Sequence, residues 1–140
     1  MGQCVGGDLV GDLCARKPVE LEATWTSIYA QVIKRNCVSC HFAGSAQTTS
    51  SALDLNGGKD EAYAALVNVD AAGDDCASSG AKRVVPNDAD NSNLIHKLET
   101  VDAGGDPVCG DPMPNPTTGG LDAATIAKIR EWIDNGAENN

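Results

Sequence analysis

Bulky side chains are scarce in this sequence: of 140 residues only two are Trp, two Tyr and one Phe, so aromatics make up 4%. Protein side chains alone then offer few large groups to build a core around, and a bound apolar cofactor would fill that gap. Basic residues are also few, ten against twenty acidic ones, for a formal charge of -10. That balance argues against nucleic acid and anionic membrane surfaces as partners and favours a partner with a basic docking face. No stretch approaches the roughly 20 consecutive apolar residues that a membrane span requires. The start Met1-Gly2-Gln3-Cys4 lacks the charged-then-apolar pattern of a signal peptide. Strand-like alternation and internal repeats are missing too, which leaves an all-α class, and the length suits one domain.

Cysteine, by contrast, is plentiful. Six in a small acidic chain are unusual for a reducing cytosol, and setting Cys37 and Cys40 aside leaves an even number: Cys4, Cys14, Cys76 and Cys109. The chain reads as an exported mature domain, periplasmic or extracellular, whose signal was cut off or replaced. The four thiols allow three pairings; Cys4 with Cys14 and Cys76 with Cys109 is the preferred set.

Four helices are expected. Residues 1–21 form a Gly- and Asp-rich arm, and the domain proper spans 22–140. From Thr24 to Asn36 the residues Trp25, Ile28, Tyr29, Val32 and Ile33 follow one helix face, with Thr24 as N-cap. A shorter helix is expected from about Asp60 to Asn68, carrying Tyr63, Leu66 and Val67. A third is capped by Asn91 or Ser92, carries Leu94, Ile95 and Leu98, and ends by about Thr100. The last has Asp122 as N-cap, Leu121 and Ile126 as a hydrophobic staple, a stripe of Ile126, Ile129 and Ile133 beside Trp132, and Gly136 as C′. Gly44 and the polar run Ser45 to Ser51 read as a loop. So does the long segment from Asp102 to Gly120, with five glycines and four of the six prolines.

The first helix runs into Cys37-Val38-Ser39-Cys40-His41. Two thiols at this spacing can each add to one vinyl group at a porphyrin edge while the adjacent imidazole faces the iron, which is why C-x-x-C-H reads as c-type haem attachment. Zinc is the rival, with Cys76, Cys109 or His96 as further ligands, but the second C-x-x-C pair of small zinc modules is missing. A thiol–disulfide oxidoreductase would open a helix with its C-x-x-C after a strand, whereas here the motif closes one.

At this point the chain resembles the cytochrome c superfamily, and more closely the bacterial single-haem c-type domains. The likeness covers about residues 22 to 138. It rests on the haem motif, on Arg83-Val84-Val85-Pro86-Asn87-Asp88-Ala89-Asp90-Asn91-Ser92, on Lys97-Leu98, on Asp111-Pro112-Met113-Pro114, and on Ile129-Arg130-Glu131-Trp132-Ile133-Asp134-Asn135-Gly136-Ala137. The resemblance implies a cytochrome c fold with crossing N- and C-terminal helices around one covalent haem. It assigns Cys37 and Cys40 to thioether bonds, His41 to proximal ligation of iron and Met113 to distal ligation. A thioether suits low-spin haem iron and, paired with His, raises the reduction potential, while Pro112 and Pro114 stiffen the loop. His96 is the rival distal ligand. Lys82 and Arg83 are candidates to pair with haem propionates, and Trp132 and Tyr29 to pack where the terminal helices cross. The expected function is electron transfer with redox partner proteins, without enzymatic activity. The alternative is a gas- or peroxide-binding haem sensor or enzyme with an open or displaceable distal site.

Overall fold

The computed structural model describes residues 19–73, 76–103, 109–114 and 120–140. The expected arm and the Cys4–Cys14 pairing fall largely or wholly outside these, as does much of the 102–120 segment. Thr24 opens the first helix by accepting a hydrogen bond from the Ser27 N–H at 3.3 Å. This helix, α1, continues from Trp25–Ile28 through a π-helical stretch, Tyr29–Ile33, to Lys34–Asn36. The expected stripe faces inward: Trp25, Ile28, Val32 and Ile33 are buried and Tyr29 is partly so. Lys34 and Arg35 lie in the last turn, where cations oppose the partial negative charge of a helix C-terminus.

A second helix, α2, spans Ala46–Ser51, where a loop was expected. Ser45 nucleates it: its hydroxyl accepts from the Thr48 N–H at 3.0 Å, and Ala52 closes the helix in the left-handed conformation, φ 54°. A polar composition does not forbid a helix whose first turn is capped in this way. Helix α3, Lys59–Leu66, ends two residues before the expected Asn68 because Val67 turns extended and pairs with Val84 as an isolated bridge. A 3₁₀ turn, Ala89–Asn91, precedes α4, Asn93–Ala103, which outruns the expected end at Thr100. Ser92 does not cap α4 with its hydroxyl. That group accepts from the Val85 N–H and donates to the Asp88 carbonyl, tying down the preceding turn.

Helix α5, Ala123–Asp134, has the expected punctuation. Asp122 accepts from the Thr125 N–H at 2.7 Å, and both Leu121 and Ile126 pack on the core. At the far end Ala137 N–H reaches the Trp132 carbonyl and Gly136 N–H the Ile133 carbonyl, the paired bonds of a Schellman motif, with Gly136 at φ 113°. Among the described residues every regular element is helical, joined by isolated bridges at Val67–Val84, Asp70–Lys82 and Lys82–Ser92, so the fold is all-α. No helix of these residues is long and apolar enough to cross a membrane.

The scarce aromatics are concentrated in one place. Trp25 of α1 stacks on Trp132 of α5, with ring centroids 5.0 Å apart and planes 25° from parallel. Tyr63 of α3 meets Trp25 edge-on at 5.9 Å, and Tyr29 lies at the same distance on a tilt. The partner of Trp132 at the helix junction is therefore Trp25, with Tyr29 behind it. Each indole N–H is satisfied, Trp25 on the Lys59 carbonyl and Trp132 on the Glu138 carbonyl. The C-terminal tail returns to the start of α1, where Asn140 accepts from the N–H groups of Trp25 and Thr26. With both indoles fully buried, Trp25→Ala or Trp132→Ala should each cost about 3–5 kcal/mol in urea unfolding. The double variant should fall short of additivity by about 1 kcal/mol, as contacting aromatic pairs do. Strict additivity would mean that the two rings merely share a core.

Candidate functional site

The Cys37–His41 segment leaves α1 through main-chain bonds that keep it compact. The N–H groups of Cys37 and Val38 both reach the Ile33 carbonyl, and those of Cys40 and His41 both reach the Cys37 carbonyl. One turn thus brings Cys37, Cys40 and His41 together. Both cysteines are free thiols, Cys37 half-buried and Cys40 exposed. Burial, with a smaller contribution from Cys40, pushes the Cys37 thiol up to about 12, the opposite of the lowered value that a disulfide-exchanging cysteine needs.

His41 is 7% exposed, and its Nδ1 lies 3.2 Å from the Leu53 carbonyl. A carbonyl only accepts, so the proton of the neutral ring sits on Nδ1 and Nε2 carries the lone pair, the arrangement that prepares a histidine to bind a metal. Burial lowers the His41 pKa, the Leu53 bond opposes that, and the positive charges of Arg83 and Lys97 lower it further.

Helix α2, unforeseen in the sequence, is the frame for this histidine. Ser45 donates its hydroxyl proton to the Cys40 carbonyl while capping α2. Thr48 donates to the Leu53 carbonyl at 3.0 Å, the same oxygen that His41 meets, and the Leu55 N–H reaches the His41 carbonyl. The one legible trace of this support was the Ser45-x-x-Thr48 spacing at the start of a polar run.

Met113 arrives from the opposite end of the chain. It is half-buried, and its N–H donates to the Lys97 carbonyl at 2.9 Å. Its loop is tied upstream by the Cys76–Cys109 disulfide, which was the preferred pairing. His96, the rival ligand, donates from its Nε2 to the Asp90 carbonyl.

The zinc reading loses ground on the same geometry, because Cys76 and Cys109 are consumed by their disulfide. Among the described residues no group of three or more His, Cys, Asp and Glu side chains is placed to hold a metal. Arg83, a candidate to pair with haem propionates, also has a structural role. Its guanidinium donates to the carbonyls of Ala65, Ser51 and Ala52, at the ends of α3 and α2, and Lys82 pairs with Asp70. A cleft of about 270 Å³ between α1 and the start of α5, lined by Leu21, Gln31, Val32, Asn36, Leu121 and Thr125 among others, contains none of the candidate ligands.

The donor set fits a covalently bound haem: two free thiols one turn apart, a buried imidazole with a fixed tautomer, and a thioether on a tethered loop. Ser45→Ala removes the cap of α2 and the tie to Cys40 together, and should cost about 1–2 kcal/mol in denaturant unfolding. A cost near zero would mean that α2 does not brace the motif.

Compared with family models, with curated proteins and with solved structures, the chain matches none.

Proposed function

We propose that this chain is a single-haem c-type electron carrier or relay module. The observation that carries the proposal is the turn at 37–41. Two reduced cysteines close α1 and are followed at once by a buried histidine whose Nδ1 is spent on the Leu53 carbonyl. Cys37 and Cys40 would each add S–H across a vinyl C=C bond, forming a thioether and delivering the hydrogen to the neighbouring carbon, with no oxidant needed. A haem held there supplies a one-electron ferric/ferrous couple.

His41 would hold the iron through its Nε2 lone pair and Met113 through its thioether. With both ligands supplied by the protein, the chain would move electrons without transforming a substrate. The same reading makes the helical domain a cytochrome c fold, its terminal helices meeting at the Trp25–Trp132 stack. An oxidising, exported setting is supported by the Cys76–Cys109 disulfide. The charge of -10 supports redox partners with a basic docking face.

The test is expression in an export compartment with c-type maturation. The protein should gain the mass of one haem that survives denaturation, and the Cys37→Ala/Cys40→Ala double variant should gain none. The ferric protein should show the weak far-red methionine-to-iron charge-transfer band, and Met113→Ala should lose it and lower the reduction potential. Failure to attach haem sinks the proposal. Haem attachment with a five-coordinate spectrum in the unmodified protein turns it toward the sensor or enzyme alternative.

A further inference from the structure

Lys97 of α4 fastens the loop that carries Met113 at two points. The main-chain carbonyl of Lys97 accepts from the Met113 N–H at 2.9 Å, and its ammonium donates to the Asp111 carbonyl at 3.0 Å. Lys97 therefore closes a ring with Asp111, Pro112 and Met113. The ammonium reaches its acceptor by passing over Gly110, where a Cβ would stand 2.6 Å from Nζ and 3.5 Å from Cys76 Sγ. Gly110 also holds φ 70°, a left-handed conformation that suits glycine. Upstream, the disulfide to Cys76 anchors Cys109, so the short segment 109–113 is held at one end by a covalent bond and along the rest by Lys97.

The two bonds from Lys97 differ in kind. Any residue at position 97 supplies the carbonyl for Met113, whereas only a long side chain with a terminal donor reaches the Asp111 carbonyl. A charged donor makes the stronger bond. What is particular to lysine here is thus the grip on the carbonyl two residues before the methionine. Without it, the turn between Gly110 and Met113 keeps its main-chain tie to α4 but loses its second point, and the Met113 side chain gains freedom.

We infer that Lys97 is a positioning residue for Met113, clamping the 111–113 turn through its ammonium so that the thioether stays where a haem iron would meet it. The inference rests on the haem-carrier reading above and adds the residue that governs how firmly the distal ligand is held.

The test uses the haem-loaded protein and the variants Lys97→Met, Lys97→Arg and Gly110→Ala, with Met113→Ala as reference. Imidazole is the probe that competes for the iron. In Lys97→Met the haem stays covalently attached while the far-red band weakens, and imidazole binds about tenfold more tightly, as expected for a lost hydrogen bond from a charged donor. Lys97→Arg, which keeps a charged donor, restores most of both. Loss of a positive charge alone lowers the reduction potential, so the band and the imidazole affinity carry the decision.

Gly110→Ala puts a methyl against the Lys97 ammonium and also strains the left-handed turn, so both routes loosen Met113 and a loss is expected, which keeps the inference open to refutation if Lys97→Met fails to mature. A wild-type band and wild-type imidazole affinity in Lys97→Met, or in Gly110→Ala if that alone matures, overturn the inference. An unmodified protein without the band, unchanged by Met113→Ala, instead sinks the Met113 assignment beneath it.

Discussion

Trp25 against Trp132 is the contact on which the remaining packing depends. In a chain with five aromatic residues, two indoles stacked at 5.0 Å supply the largest flat surfaces at the meeting of the first and last helices. Tyr63 brings α3 to the same place and fastens it with a hydrogen bond from its hydroxyl to the Ala137 carbonyl. The Schellman turn after α5 buries Ala137 beside Trp132, and Asn140 then covers the open N–H groups of α1. α1 is thereby gripped at its N-terminal end. The Cys37–His41 turn at its other end starts from a fixed helix and needs only local bracing from α2.

That bracing is polar and mostly main-chain. Ser45, Thr48 and Leu53 surround the motif with bonds to carbonyl oxygens, and none of them is charged. The nearest cations, Arg83 and Lys97, act on His41 at longer range while their own donors are used elsewhere. Charge is distributed unevenly over the surface: the whole chain is acidic, yet the exposed residues just before the motif are Lys34, Arg35 and the neutral Asn36, and the one just after it is Phe42. An encounter steered by net charge and a contact made at the motif would thus meet different surfaces of the same molecule.

What could be read in the sequence was whatever is encoded by spacing along one helix. The α1 stripe, the Asp122 cap, the Leu121–Ile126 staple and the Gly136 terminus all depend on neighbours within a few residues, and they occur where expected. The compact Cys37–His41 turn at the end of α1 was legible for the same reason. α2 was missed because Ala46–Ser51 has no apolar stripe; its role lies in hydroxyl bonds to Cys40 and Leu53, which periodicity does not record. The stacking of Trp132 on Trp25 was not legible, because which residue of the α1 face it meets depends on the path of α5, a tertiary fact. Lys97 was noticed only as part of a resemblance, since its clamp joins positions fourteen and sixteen residues apart.

Arg83 illustrates a different kind of dependence. It is 8% exposed, and its fork reaches three main-chain carbonyls, Ala65 at the end of α3 and Ser51 with Ala52 at the end of α2. Every residue has a carbonyl, so the side chains at 51, 52 and 65 are free to vary without removing an acceptor. The burden of the joint falls entirely on position 83. The junction between the helix that braces the histidine and the helix that braces the tryptophan stack is therefore tolerant on three sides and brittle on the fourth. A lysine there, with one point of charge in place of a planar fork, could not span the same three oxygens.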